Sequence, residues 1–156
     1  MFSLPEFKKD FLQFLIQELR KDLSQLTKIA EDARTEAISS EMKQEGKFDT
    51  RAIEAGYLAS AQAKRISDLG QEIIQIQKIN LDSSSEISIG SLVKVMELNE
   101  SKYYFLLPIT GGKSYEFQKR KVVIVSPNSP LGQNLLGKSE LEEIETPKPM
   151  KILGIL

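Results

Sequence analysis

From Leu12 onward, apolar residues return at alternating steps of four and three: Leu12, Ile16, Leu19, Leu23, Leu26, Ala30, Ala33 and Ala37. That spacing lays a single apolar seam along an α-helix, the pattern by which helices pack as coiled coils. After Gly46 a second series follows the same rule: Ala52, Ala55, Ala59, Gln62, Ile66, Leu69, Ile73 and Ile76. The two series mirror each other. Ala37 faces Ala55, Ala33 faces Ala59, Leu26 faces Ile66, Leu19 faces Ile73 and Ile16 faces Ile76, and the residue numbers of each pair add to 92. A shared centre of symmetry is what an antiparallel hairpin requires, because facing layers lie equally far from the turn. Alanines meet near the turn, and Leu and Ile meet at the base. At ~1.5 Å per residue, arms of roughly 30 residues predict a rod on the order of 45 Å long. A compact bundle would use two such helices as well. The chain has too little further helical sequence to cover them, and Lys21, Asp22, Gln25, Lys28 and Glu31 make the outer face polar. A protruding coiled-coil hairpin over residues 1–80 is therefore expected.

The periodicity then changes. A polar linker at 81–85, Leu81-Asp82-Ser83-Ser84-Ser85, precedes a region that holds five of the six prolines and six of the nine glycines. Residues 86–156 read as strands: one around Val93 and Val95, one over Lys102–Ile109 after a turn at Asn99–Ser101, a short buried run Val122–Val125, and two more near Leu141–Glu145 and Met150–Ile155. Ser129 to Leu136 reads as one short helix, with Ser129 as cap, Pro130 in the first turn and Gly137 as the stop. The fold class is α+β, a helical hairpin followed by a small antiparallel β domain with one helix.

Composition narrows the chemistry. The chain of 156 residues contains no Cys, His or Trp, which excludes disulfides, thiol nucleophiles, the usual Cys/His zinc sites and imidazole catalysis. With 21 basic and 22 acidic residues its net charge is −1, so there is no global attraction to nucleic-acid phosphates. Acids at Glu6, Asp10 and Glu18 argue against a signal peptide, and no apolar run is long enough to span a membrane. A cytoplasmic protein without membrane attachment is expected, with no cofactor of its own.

Ser126-Pro-Asn-Ser-Pro-Leu-Gly-Gln-Asn-Leu-Leu-Gly-Lys138 resembles the signature of the C-terminal domain of the Gre family of bacterial transcription elongation factors. Ile89-Gly-Ser-Leu-Val-Lys-Val95 is similar to that family's opening strand, and Phe105-Leu-Leu-Pro-Ile-Thr-Gly-Gly112 to its second strand and turn. Lys47-Phe-Asp-Thr-Arg-Ala-Ile-Glu-Ala-Gly-Tyr-Leu-Ala59 looks like the hairpin tip of a divergent branch. The resemblance implies an FKBP-like sheet that docks on RNA polymerase core, with Asn128, Ser129, Pro130, Leu131 and Gly132 at the contact. It also implies a coiled coil that enters the polymerase secondary channel. In the cleaving members, two tip carboxylates help to hold a Mg²⁺ of the polymerase, which then cuts its own backtracked RNA.

Here Glu45 and Asp49 flank Gly46 and are the candidate ligands, since a hard cation takes carboxylate oxygens. Phe48 stands where the family's motif has an acid. The plainer alternative makes Asp49 the N-cap of the second helix and leaves Glu54 paired with Arg51 on its surface. Lys43, Lys47 and Arg51 are candidates for phosphates at the nascent RNA 3′ end, or equally a solvated helix face. Lys113, Lys119, Arg120 and Lys121 form the densest basic cluster of the β domain, readable as a solvated loop or as a contact for acids or nucleic acid. The resemblance thus implies a monomeric, non-enzymatic regulator of RNA polymerase. It either stimulates cleavage or modulates the enzyme without it, and a coiled-coil scaffold is the alternative. DNA contact is left open.

Overall fold

The structure is a computed structural model that describes residues 4–43, 50–145 and 147–156, with side chains for 4–39, 53–145 and 147–156. Two long helices come first, α1 (Leu4–Lys43) and α2 (Thr50–Gln77). Six strands follow among the described residues: β1 (Leu92–Glu97), β2 (Glu100–Leu106), β3 (Ser114–Phe117), β4 (Arg120–Val125), β5 (Glu143–Ile144) and β6 (Met150–Ile155). Helix α3 (Pro130–Leu135) lies between β4 and β5. Backbone proximity groups the chain into two units. One joins the residues up to Leu15 with Gln75–Leu156, and the other is Ile16–Ile74. The opening turns of α1 and the last residues of α2 thus group with the sheet.

Within the sheet unit the strand order is β3-β4-β2-β1-β6-β5. The expected antiparallel sheet is corrected at one pair, because β2 and β4 run parallel, Tyr103 beside Val122 and Phe105 beside Ile124. The chain leaves β2, skips one strand position to form the edge strand β3, and turns back through Gln118–Lys119 so that β4 fills the gap. Both two-residue hairpin turns, Leu98–Asn99 and Gln118–Lys119, have positive φ at their two central residues. That geometry matches the twist of the flanking strands. The first turn starts at Leu98, one residue earlier than the sequence suggested.

Successive residues of a strand point to opposite faces, and β2 uses both. Tyr103 and Phe105 meet Phe7 and Phe11 of α1 on one face, with ring centroids 5.9 and 5.8 Å apart. Tyr104 and Leu106 join Val93, Val95, Leu135 and Ile152 in the core on the other face. A strand covered on both sides has to be apolar throughout, which explains why Tyr103 to Leu107 is buried without interruption.

In the helical unit, burial follows the expected seam and then runs out. Leu19 and Ile73 are buried, and Leu23, Leu26, Ala30, Gln62, Ile66 and Leu69 are half-buried. Every side chain from 31 to 39 and from 53 to 61 is exposed, including Ala33, Ala37, Ala55 and Ala59. The alanine stretch therefore forms no buried core.

Candidate functional site

The Ser126–Lys138 segment folds as a turn locked by its own polar groups. The Ser126 carbonyl accepts from both the amide (3.1 Å) and the hydroxyl (2.7 Å) of Ser129. The Ser129 hydroxyl oxygen in turn accepts from the Gly132 amide at 3.0 Å, capping α3, and Pro130 occupies the first turn. Gly132 has no room for a side chain: a Cβ there would lie 2.0 Å from the Ser126 carbonyl oxygen. Gly137, at φ +77°, follows the helix, and its amide donates to the Ile87 carbonyl at 2.8 Å. The five residues marked for partner contact therefore divide. Ser129 caps, Gly132 is buried in the turn, and Leu131 packs against the core, while Asn128 and Pro130 stand exposed.

The hairpin tip is not among the described residues. Glu45, Lys47 and Asp49 lie outside them, and Lys43 and Arg51 are helical residues whose side chains lie outside them as well. Among the described residues no group of three or more acids is placed to hold a metal ion, and no helix is long and apolar enough to cross a membrane. On α2, close to the tip in sequence, Ile53, Tyr57 and Leu58 are exposed, Tyr57 to 75%.

The basic cluster of the sheet unit is partly structural. The Arg120 guanidinium lies over the Phe7 ring at 4.8 Å and 5.9 Å from that of Tyr103, and the Lys113 ammonium is 5.3 Å from Tyr115. Lys119 and Lys121 are exposed. Such cation–π contacts favour the cation over the ring face, and the Arg120–Phe7 pair holds the β3–β4 hairpin against α1.

Two ionic arrangements were not anticipated from the sequence. Glu97, at the end of β1, accepts from Lys102 Nζ at 3.0 Å and from the Tyr104 hydroxyl at 3.4 Å. The Lys102 bond holds the Glu97 carboxyl below its usual range and raises Lys102, while burial first and Glu97 second push Tyr104 up. Lys8, 2% exposed, donates to the main-chain oxygens of Leu81 (3.1 Å) and Leu156 (2.8 Å). Burial lowers its pKa to about 8, against the pull of Asp82. The only sequence signal for Lys8 was a cation next to Phe7 on a helix face that proves to be covered.

No protein-family model matches the sequence, and no curated protein matches it. Solved structures do show similarity in fold. The GreA factor homolog 1 (Gfh1) protein of Thermus thermophilus is 16% identical, with 90% of this chain and 94% of that one covered at a TM-score of 0.35. For Thermus aquaticus Gfh1 the values are 18% identity, 89% and 92% coverage and a TM-score of 0.33. A further structure, described as the transcription factor Gfh1, is 18% identical over 90% and 92% of the chains at 0.35. These values leave any functional reading to the chain's own residues.

Proposed function

We propose that this protein binds RNA polymerase core and regulates transcript elongation, docking through its sheet unit and entering the secondary channel with its helical hairpin. The observation that carries the reading is the contrast between the anchored Ser126–Gly132 turn and the distal helical arms. The turn presents Asn128 and Pro130 on a rigid base. Along the arms no described side chain from 31 to 39 or from 53 to 61 is buried, although Ile38, Ile53, Tyr57 and Leu58 are among them. Large apolar side chains left exposed in this way suit contact with a partner. Asp49 and Glu45 are the proposed donors to a Mg²⁺ whose other ligands belong to the polymerase. Lys43, Lys47 and Arg51 are proposed to reach the nascent RNA. The protein acts as a monomer in the cytoplasm.

The test is co-purification of the full chain with core RNA polymerase, followed by a cleavage assay on a backtracked complex. Binding is expected, and Asp49→Asn should abolish any stimulated cleavage while leaving affinity nearly unchanged. Binding without cleavage in the wild type would remove the metal role and leave a channel-binding modulator. No binding would return the chain to the scaffold reading.

A further inference from the structure

The two outer strands of the sheet each hold one acid, Glu116 in β3 and Glu143 in β5, but the residues flanking them differ in charge. Strand β3 closes one edge, paired on one side only, with β4. Around it the hairpin bears Lys113, Lys119, Arg120 and Lys121 against a single acid, Glu116. At the far edge, β5 contains Glu143 and is flanked by Glu140, Glu142 and Glu145.

Hydrogen-bond parity shows which β3 groups are open. In an antiparallel pair, residues alternate between bonded and non-bonded positions. The two-residue turn makes Phe117 and Arg120 the closing bonded pair, so Tyr115 and Val122 form the next. Beyond them, Ile124 takes the Gly112 amide and gives its own amide to the Lys113 carbonyl, which agrees with that alternation. The backbone N–H and C=O of Ser114 and Glu116 therefore point away from β4, and both residues are exposed. The strand itself is held in place, because Tyr115 and Phe117 pack on Phe11 and Phe14.

We propose that the free edge of β3 receives an extended acidic segment of a partner protein, which adds to the sheet as a seventh strand. Backbone pairing of this kind supplies affinity, and the flanking side chains supply selection. Lysines along an edge deter pairing, but they do so selectively. A second β3 would bring like charges together, and a neutral strand gains nothing from them. An acidic strand meets Lys113 at one end and Lys119 at the other, with a neutral residue opposite Glu116. The protein's own acidic edge is a poor occupant, since β5 has two residues and Pro147 and Pro149 follow it. Such a strand would add a second attachment point, independent of the Asn128–Pro130 surface.

The experiment is NMR titration of the isotope-labelled full chain with a blocked heptapeptide that has two acids at each end and a neutral β-branched centre. Shifts and slowed hydrogen exchange are expected at the Ser114 and Glu116 amides. Glu116→Pro removes one outward donor, at an edge position where Pro is tolerated, and should abolish binding; Glu116→Gln should preserve or strengthen it. Lys113→Glu combined with Lys119→Glu leaves the backbone untouched and should weaken binding about tenfold, the effect of two exposed charge pairs. The proposal fails if those amides gain no protection, if Glu116→Pro folds and binds like the wild type, or if the charge reversals have no effect. It also fails if a basic heptapeptide binds equally well, or if a single-stranded oligonucleotide competes the acidic peptide away at equal concentration.

Discussion

Helix α1 passes through two environments. Between residues 7 and 15, Phe7, Phe11 and Leu15 are fully buried, and the Phe11 ring lies 5.7 to 6.4 Å from the rings of Phe7, Phe14, Phe105, Tyr115 and Phe117. Between 31 and 39 no side chain is buried, and Ile38 is 52% exposed. The same backbone conformation thus rests on different physics. The first stretch is helical because its aromatic face covers a sheet, and tertiary packing of that kind outweighs intrinsic propensity. The second depends on helix-favouring Ala and Glu and on whatever pairing α2 provides. The stability of the chain therefore resides chiefly in the sheet unit, and the distal arms can vary in sequence at little energetic cost.

The sharpest break of this contrast is Phe11→Ala, which should cost about 3–5 kcal/mol in chemical denaturation, the range for emptying an aromatic core site. A loss below about 1 kcal/mol would mean that the opening turns of α1 do not hold the sheet.

That aromatic role was only half legible in the sequence. Phe7, Phe11 and Phe14 recur at steps of four and three, a second stripe beside the Leu12–Ile16–Leu19 seam, and a helix apolar on two sides needs two partners. Helix α3 was fully legible because its signals are local: a capping hydroxyl at Ser129, Pro130 with no N–H to lose, and Gly137 past the end. Strand β3 was not, because only Tyr115 and Phe117 alternate in it and charges flank both. Strand order is nonlocal, so nothing in the Tyr103–Leu106 or Val122–Val125 runs marked their pairing as parallel. The Ser126–Lys138 segment stood out in the sequence, but the division between structural Ser129 and Gly132 and exposed Asn128 and Pro130 emerged only from the folded turn.

Second in size is Gly132→Ala. Its Cβ would collide with the Ser126 carbonyl, so a loss of roughly 1–3 kcal/mol is expected, as for overpacking. Polymerase affinity should fall further than stability does, since the turn that presents Asn128 and Pro130 must open. Pro130→Ala should lower affinity with little change in stability.

A smaller effect, of about 1 kcal/mol near neutral pH, is expected for Glu97→Gln from loss of a charged hydrogen bond. Glu97 has a folded pKa below its ordinary value of 4.5. Its contribution is thus complete above the unfolded pKa and is lost as pH falls through the folded one. The stability gap between wild type and variant should accordingly narrow below about pH 4.5. Lys8 acts with the same sign in a higher pH window. With a folded pKa of about 8 against 10.5 unfolded, the unfolded chain binds more protons between those values, so Lys8 contributes a rise in stability across that window. Lys8→Met should flatten the rise in urea denaturation.

The smallest change in stability is expected in the distal arms. Ala33→Leu and Ala59→Leu lie at exposed positions and should stay within about 0.5 kcal/mol, yet they thicken the rod and should impair action on the polymerase. Cysteines at Ala33 and Ala59 should form a disulfide if the arms pair in the mirrored register, and pairing of Ala33 with another position would overturn that register.

The most direct measurement places a photo-crosslinking amino acid at Tyr57, exposed to 75% near the end of the hairpin in sequence, and irradiates the full chain bound to core RNA polymerase. Crosslinks to polymerase residues lining the secondary channel are the expected result. Crosslinks confined to the outer surface of the polymerase, or to a second copy of this chain, would contradict the placement of the hairpin and with it the proposed function.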